Sequence, residues 1–263
     1  MCPFHHPNLV HLHGGVWNDG ADKLCIVLEF CARGSLRTLL LKAPGTWEEL
    51  RYHLALGAAQ GLHYLHHDLS EPLIHRDIKP DNILVSDVVP HAAGGGTQVN
   101  SGVGPTAAPS GSSVVAKIAD FGESTHFDAK QAMEHVDLDG NDDVLTMTMV
   151  GTELYCAPEV IMNERYNESA DTFSCALVLL CLAAGDIKHV RESYVSARPA
   201  RDTYCTGWRP PITGMLAVGE PQLVVLILKM WQPDFRLRPS MRDVVASLEG
   251  MAPAASGTCS SST

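Results

Sequence analysis

Side chains that can bind hard cations, accept protons and neutralise anionic groups are concentrated in three short segments. The first reads His-Arg-Asp-Ile-Lys-Pro-Asp-Asn over residues 75–82, the second Asp-Phe-Gly over 120–122, and the third Ala-Pro-Glu over 157–159. Carboxylate and amide oxygens suit Mg²⁺, and a lysine beside them supplies a point charge. Any one segment alone is a weak signal, but the three in this order are highly specific.

Short apolar runs predict strands next to these segments. Residues 83–85 (Ile-Leu-Val) directly follow the first segment, and residues 117–119 (Lys-Ile-Ala) lead into the second. Two further runs, at 9–14 and 22–30, lie on either side of the turn-like Asn-Asp-Gly at 18–20 and predict a hairpin.

Most of the remaining sequence predicts helices. From Thr46, apolar residues recur at helical spacing through Leu65 and indicate a long amphipathic helix. A buried helix is expected from Asp171, then an arginine-rich loop, then an apolar helix through 223–231 and a short helix from 240. The predicted fold class is therefore α+β, with a few strands followed mainly by helices.

Composition indicates flexible insertions in this fold. Residues 91–113 contain 16 Gly, Ala, Ser or Pro among 23 and no Asp, Glu, Lys or Arg, so they bury too little apolar surface to fold. Residues 123–143 carry seven acidic side chains and one lysine, which is typical of a solvated loop. The small, polar tail at 252–263 is expected to be disordered.

Charge and composition exclude several classes of function. The chain of 263 residues has 19 Lys plus Arg against 30 Asp plus Glu, a net charge of −11, with its basic residues scattered. A nucleic-acid binder is therefore not expected. No signal peptide is visible, the longest apolar run is too short to span a bilayer, and the eight cysteines form no C-x-x-C pair. We expect a cytoplasmic, soluble protein with reduced cysteines and no membrane insertion.

With its three segments in this order, the sequence resembles the protein kinase superfamily from residues 6–8 (His-Pro-Asn) to 231–239. The resemblance implies a protein-kinase-like fold with a mostly helical large lobe and a truncated small lobe. Residues 1–30 would be the small-lobe remnant, the end of a helix and two strands. Residues 31–251 would be the large lobe, with a flexible insertion at 86–113 and a long activation segment at 120–159.

The resemblance implies transfer of the ATP γ-phosphate to a protein hydroxyl. Asp77 would accept the hydrogen bond and the proton of that hydroxyl, and Lys79 would contact the γ-phosphate. Asn82 and Asp120 would supply oxygen ligands to Mg²⁺. Thr152 would bridge Asp77 and Lys79 through its hydroxyl. Lys79 and Thr152 are typical of serine/threonine kinases.

The same resemblance gives the nucleotide-binding residues. Glu29 and Cys31 would offer backbone groups to adenine, Leu28 would be the gatekeeper, and Leu84 would form part of the adenine floor. Ser35 completes the set, with Asn82 and Asp120 acting through Mg²⁺. The phrases at 28–36 and 238–241 resemble the tyrosine-kinase-like group of serine/threonine kinases.

Other matching positions imply structural and regulatory roles. Glu159 and Arg238 would form a buried ion pair, and Asp171 would bind the backbone of the catalytic loop. Arg76 would be an unpaired cation facing the activation segment, where a phosphate could bind it. Acceptors for an upstream activating kinase would be Thr146 and Thr148.

The sequence departs from the family at its start. It contains no Gly-rich loop before residues 6–8, no helix Glu, and a single lysine, Lys23, in its first 41 residues. We expect that Met1 is an internal methionine and that the small lobe continues upstream. The alternative is a non-catalytic, pseudokinase-like docking or regulatory module. The substrate, the pathway and the oligomeric state do not follow from the sequence.

Overall fold

A computed structural model describes residues 4–18, 23–42, 50–87, 114–126, 153–162, 164–195, 200–212 and 221–252. Its strands form antiparallel pairs: β1 (Leu12–Asn18) with β2 (Lys23–Leu28), β3 (Leu73–Ile74) with β6 (Thr125–His126), and β4 (Ile83–Asp87) with β5 (Val114–Ile118).

Helices account for most of the remaining described chain. They are α1 (Leu36–Lys42), α2 (Tyr52–His63), α3 (Pro158–Ile161), α4 (Ser169–Ala184), α5 (Lys188–Val195), α6 (Ala200–Cys205), α7 (Pro221–Met230) and α8 (Met241–Glu249). A π-helical turn, Tyr64–Asp68, extends α2, and 3₁₀ turns lie at Glu153–Tyr155 and Phe235–Leu237. This mixture confirms the predicted α+β class.

The core is built around α4, which is buried from Ser169 to Leu182 and packs against α2 and α7. Its C-terminus is set by Gly185, whose φ of 68° is the left-handed conformation that ends helices. At the other end of the large lobe, Ser240 and Asp243 form a capping box at the start of α8. These two helices are where the sequence predicted them.

Two predictions about secondary structure were wrong. The strand expected at 9–14 lies at Leu12–Asn18, because Leu9 is instead buried in a parallel bridge with Ile118. The arginine-rich segment expected as a loop contains α5 and α6. Each short helix has an apolar side chain, Val190 and Tyr204 respectively, buried in the core, and this tertiary contact stabilises helices that the polar sequence does not reveal.

Several predicted segments lie outside the described residues: 88–113 of the insertion, most of the activation segment (127–152), and the tail from residue 253. Within the described ranges, no single helix is long and apolar enough to cross a membrane. The pair Ser169–Ala184 and Lys188–Tyr194, bent by 119°, meets the criteria of length and composition together. Six described cysteines are free and four of them are buried, as predicted.

Segment 6–10 is docked on α2 through a close approach at Gly61. A Cβ at this position would lie 2.8 Å from the carbonyl oxygen of Asn8 and 2.9 Å from Cδ1 of Ile118. Asn8 in turn donates from Nδ2 to the carbonyl oxygen of Ala116 at 2.9 Å. The glycine therefore lets segment 6–10, α2 and β5 meet.

Gly61→Ala should lower the free energy of unfolding by about 1–3 kcal/mol, because the added methyl group collides with backbone. Urea denaturation would measure the loss. Gly250→Ala is the matched control, since its Cβ would make only ordinary contacts at 3.5 and 3.6 Å. Equal midpoints for the two variants would show that the approach at Gly61 is not tight.

His6 holds the same segment in a form that depends on pH. Its ring stacks on Tyr64, with centroids 4.8 Å apart, and Nδ1 accepts a hydrogen bond from the amide of Asn8 at 3.2 Å. Burial lowers the pKa of His6 from 6.5 to about 4. The folded protein therefore holds this ring neutral at pH values where the unfolded chain protonates it.

Stability should consequently fall as the pH decreases from about 6.5 to about 4, because only the unfolded chain gains the proton in this range. His6→Asn keeps an acceptor for the Asn8 amide but does not titrate. The variant should therefore show a shallower loss of stability in this window. Urea midpoints measured at several pH values test this, and identical slopes for both proteins would contradict it.

Candidate active site

The loop between β3 and β4 brings three predicted catalytic residues together. Asp77 is buried, and Lys79 donates from Nζ to both of its carboxylate oxygens, at 2.9 and 2.7 Å. Asn82 donates from Nδ2 to Oδ2 of Asp77 at 2.7 Å and to its carbonyl oxygen at 2.9 Å. The Asp77 carboxylate is therefore held by a cation and an amide, in a fixed orientation.

The backbone of this loop is fixed from the core by Asp171. This carboxylate is completely buried and accepts hydrogen bonds from the amides of His75 at 2.8 Å and Arg76 at 2.9 Å. These are the bonds predicted from the sequence. Arg76 has a φ of 67°, a strained conformation for a non-glycine residue, which the two amide bonds help to hold.

Histidines complete this support. Nε2 of His66 lies 2.9 Å from Oδ2 of Asp171. Burial alone would raise the pKa of Asp171, but the hydrogen bonds and charges of His66 and His75 outweigh it and hold that pKa below its usual value. Burial lowers the pKa of His75, whose Nε2 donates to the carbonyl oxygen of Ala119 at 3.0 Å. His75 thus links the loop to the end of β5.

Asp120 follows β5 and lies beside Asn82. The amide of Ala119 donates to the carbonyl oxygen of Asn82 at 2.9 Å, so the two predicted Mg²⁺ ligands are brought to adjacent strand ends. Asp120 is exposed and has a φ of 63°. Its only hydrogen bond within the described chain is a long one, 3.4 Å, from the amide of Gly122.

The donors present at this edge fit Mg²⁺. Asn82 uses its amide nitrogen on Asp77, which leaves its amide oxygen for a cation, and Asp120 has an exposed carboxylate. Among the described residues, no group of three or more His, Cys, Asp or Glu could hold a metal. Two protein oxygens still suffice for Mg²⁺, because this ion keeps waters and phosphate oxygens as its other ligands.

The predicted nucleotide residues lie between the hairpin and β4. Cys31 is buried in a small apolar cluster with Val10, Ala119 and the partly buried Leu84, which we call the apolar floor. Leu28 ends β2 with about half of its surface exposed. The sequence did not identify Val10 or Ala119 as part of this surface, although both directly adjoin recognised motifs.

Ser35 has a structural contact in addition to its predicted role. It forms a bridge with Leu84, and its hydroxyl oxygen accepts from the amide of Thr38 at 3.3 Å at the start of α1. Nucleotide binding by Ser35 therefore stays a prediction. Thr152, the fifth predicted catalytic residue, lies outside the described residues, as do Thr146 and Thr148.

Arg76 is not the unpaired cation that the sequence suggested. Its Nε donates to the carbonyl oxygen of Glu123, and Nη1 donates to the hydroxyl of Tyr166 at 3.2 Å. Both acceptors are neutral, so the bonds hold the guanidinium without neutralising its charge. The earlier expectation failed because neither partner is close to Arg76 in the sequence.

Comparison with known proteins agrees with this geometry. The model of the protein kinase domain matches residues 1–248. The chain belongs to the protein kinase family. Among its relatives, the probable serine/threonine-protein kinase drkD of Dictyostelium discoideum is 31% identical over 252 residues, which cover 95% of this chain and 16% of the relative.

Two plant relatives give the same class. The serine/threonine-protein kinase VIK of Arabidopsis thaliana is 30% identical over 251 residues, covering 95% of this chain and 48% of that protein. PBL34, also a serine/threonine-protein kinase of Arabidopsis thaliana, is 30% identical over 262 residues, covering 93% and 44%. The chain is thus a protein serine/threonine kinase by family, and it spans less than half the length of each of these relatives.

Proposed function

We propose that this kinase is catalytically active and transfers the γ-phosphate of ATP to serine or threonine hydroxyls of protein substrates. The observation that carries the proposal is the Asp77 carboxylate, which accepts hydrogen bonds from both Lys79 and Asn82. Phosphoryl transfer depends mainly on positioning and on neutralising charge, and these three side chains supply a base, a cation and a metal ligand within one loop.

In the proposed reaction, Asp77 accepts the hydrogen bond of the substrate hydroxyl and orients its oxygen toward the γ-phosphorus. The new P–O bond forms as the bond to ADP breaks, and the hydroxyl proton passes to Asp77. Lys79, already beside Asp77, neutralises negative charge on the transferring phosphoryl oxygens. Thr152 would hold Asp77 and Lys79 in this arrangement.

Asn82 and Asp120 would hold Mg²⁺, which when bound neutralises charge on the ATP phosphates. The backbone of Glu29 and Cys31 would bind adenine, with Leu28, Ser35 and Leu84 contributing to the nucleotide site. ATP and Mg²⁺ are the substrate and ion that membership of the family implies. Their use by this chain is part of the proposal.

The hairpin β1–β2 bears on whether this chain alone is active. It exposes apolar side chains at successive positions, Val16 and Trp17 on β1 and Ile26 and Val27 on β2, and successive side chains of a strand face opposite sides. Within the described residues, no further strand pairs with it. A sheet that is apolar on both faces normally has cover on both.

We therefore place the Gly-rich loop, the strand lysine and the helix glutamate in residues encoded upstream of Met1. The same exposed hairpin favours the second candidate, a non-catalytic module that docks another protein. In either case we place the protein in the cytoplasm. An upstream kinase acting at Thr146 or Thr148 would regulate the active form.

Sequencing the transcript 5′ of the Met1 codon separates the two candidates. The kinase proposal requires an open frame of about 60–90 residues that encodes a Gly-rich loop and a strand lysine. An in-frame stop codon just upstream would make Met1 the true start, and the docking module would then replace the active kinase as the proposed function.

A further inference from the structure

Lys117 on β5 is a largely buried cation that the proposed reaction does not use. Its side chain is 14% exposed, and Nζ lies 2.9 Å from Oε1 of Glu29, whose side chain is 24% exposed. An ion pair so sheltered from water is screened less than a surface pair. It joins the end of the hairpin to a strand of the large lobe.

Glu29 is held on the hairpin side as well. Its Oε1 accepts from the amide of His11 at 2.9 Å, and its own amide donates to the carbonyl oxygen of His11 at the same distance. One carboxylate therefore extends the ladder of the hairpin beyond β2 and receives the charge of Lys117. The backbone from residue 29 onward, which we call the hinge (residues 29–31), is tied to both lobes at its first residue.

The strand register relates this pair to the nucleotide surface. Lys117 lies opposite Leu84 in the β4–β5 ladder, and Leu84 packs against the apolar floor that contains Cys31 and Ala119. The ion pair is thus at one end of the hinge, and Cys31 is at the other. Between them lie the backbone groups to which the proposed function assigns adenine.

We propose that Glu29 and Lys117 form a hinge clamp, which positions the hinge over the apolar floor and thereby sets the affinity for ATP without taking part in phosphoryl transfer. The proposal rests on the proposed function for its substrate, ATP. It assigns the Glu29 side chain a role separate from that of its backbone, and it makes Lys117 a positioning residue.

Loss of one partner should free the hinge. The remaining charge is left partly buried without its counter-ion, so conformations that expose it to water become more populated. If the binding-competent hinge is then populated about one time in ten, the apparent affinity for ATP falls about tenfold. The chemical step, which takes place at Asp77, is unaffected by this loss.

The thiol of Cys31 reports on the clamp independently of catalysis. Burial raises the pKa of Cys31, the charge of Glu29 raises it further, and the charge of Lys117 lowers it. Glu29→Gln should therefore lower the pKa of this thiol, whereas Lys117→Met should raise it. Both variants should increase the plateau rate of alkylation at high pH, because both free the hinge.

The first experiment measures the pH dependence of Cys31 alkylation by iodoacetamide, resolved by mass spectrometry, in the 263-residue chain. The control is Asp87→Asn, which breaks the more exposed pair between Asp87 and Arg33, 2.7 Å apart, just beyond the hinge. This variant should leave both the plateau and the pKa of Cys31 as in the wild type. Shifts of the same sign in Glu29→Gln and Lys117→Met, or an unchanged plateau, would overturn the proposal.

The second experiment compares steady-state kinetics in the catalytically active form. Lys117→Met should raise KM for ATP about tenfold with kcat within about twofold of the wild type, and Lys117→Arg, which keeps the cation, should restore KM. A fall in kcat at unchanged KM would contradict the clamp. If the wild type transfers no phosphate, the proposed function fails, and the alkylation experiment still decides whether the clamp exists.

Discussion

Asp77→Asn should lower kcat by about 10²–10⁴-fold, the usual contribution of a positioned general base. The amide keeps the size of the carboxylate but cannot accept the hydroxyl proton, and it loses the charge that Lys79 binds at 2.7 Å. KM for ATP should change little, because Asp77 faces the acceptor hydroxyl in the proposed reaction. Initial rates at saturating ATP and protein substrate would measure the effect.

Asp81→Asn is the matched control for this substitution. Asp81 lies in the same loop, but it is exposed and paired at 3.3 Å with the equally exposed Arg37. Surface pairs of this kind contribute little, so kcat should stay within about threefold. Comparable losses in both variants would indicate damage to the loop and would contradict a specific role of Asp77.

Arg238→Met should reduce the free energy of unfolding by about 3–5 kcal/mol. Arg238 and Glu159 form the buried ion pair predicted from the sequence, with Nη2 2.9 Å from Oε2. Arg238 also donates to the carbonyl oxygens of Ser169 and Gln232, and its guanidinium lies over the ring of Phe173. Its removal leaves the Glu159 carboxylate buried without a partner.

Urea denaturation would measure this loss, with two comparisons. Arg236→Met breaks an exposed pair with Asp234 two residues away and should leave the midpoint close to that of the wild type. The double variant Glu159→Leu with Arg238→Met should recover part of the loss, because no unpaired charge remains. A midpoint for Arg238→Met equal to that for Arg236→Met would contradict the structural role of the pair.

Local patterns in the sequence were enough to find the catalytic loop. Asp77, Lys79 and Asn82 lie within six consecutive residues, so their spacing alone brings them together when the loop is held at both ends by strands. The helix α8 was equally predictable, because the capping box at Ser240 and Asp243 is a local signal. The ion pair of Glu159 and Arg238, in contrast, came from the family resemblance.

Long-range contacts account for what the sequence did not reveal. Glu29 and Lys117 are 88 positions apart, and no local pattern indicates that a hinge carboxylate meets a lysine on β5. The helices α5 and α6 have polar sequences and exist because Val190 and Tyr204 pack into the core. The start of β1 was misplaced because Leu9 bonds across to β5 rather than within the hairpin.

The most direct test of the account is phosphotransfer by the protein expressed from its complete transcript. The protein would be incubated with Mg²⁺, a protein substrate and ATP radiolabelled at the γ-phosphate, followed by phosphoamino-acid analysis, with Asp77→Asn in parallel. We expect label on phosphoserine or phosphothreonine with the wild type and its near-complete loss with the variant. Absence of transfer by the wild type, or equal transfer by both proteins, would contradict catalysis at Asp77.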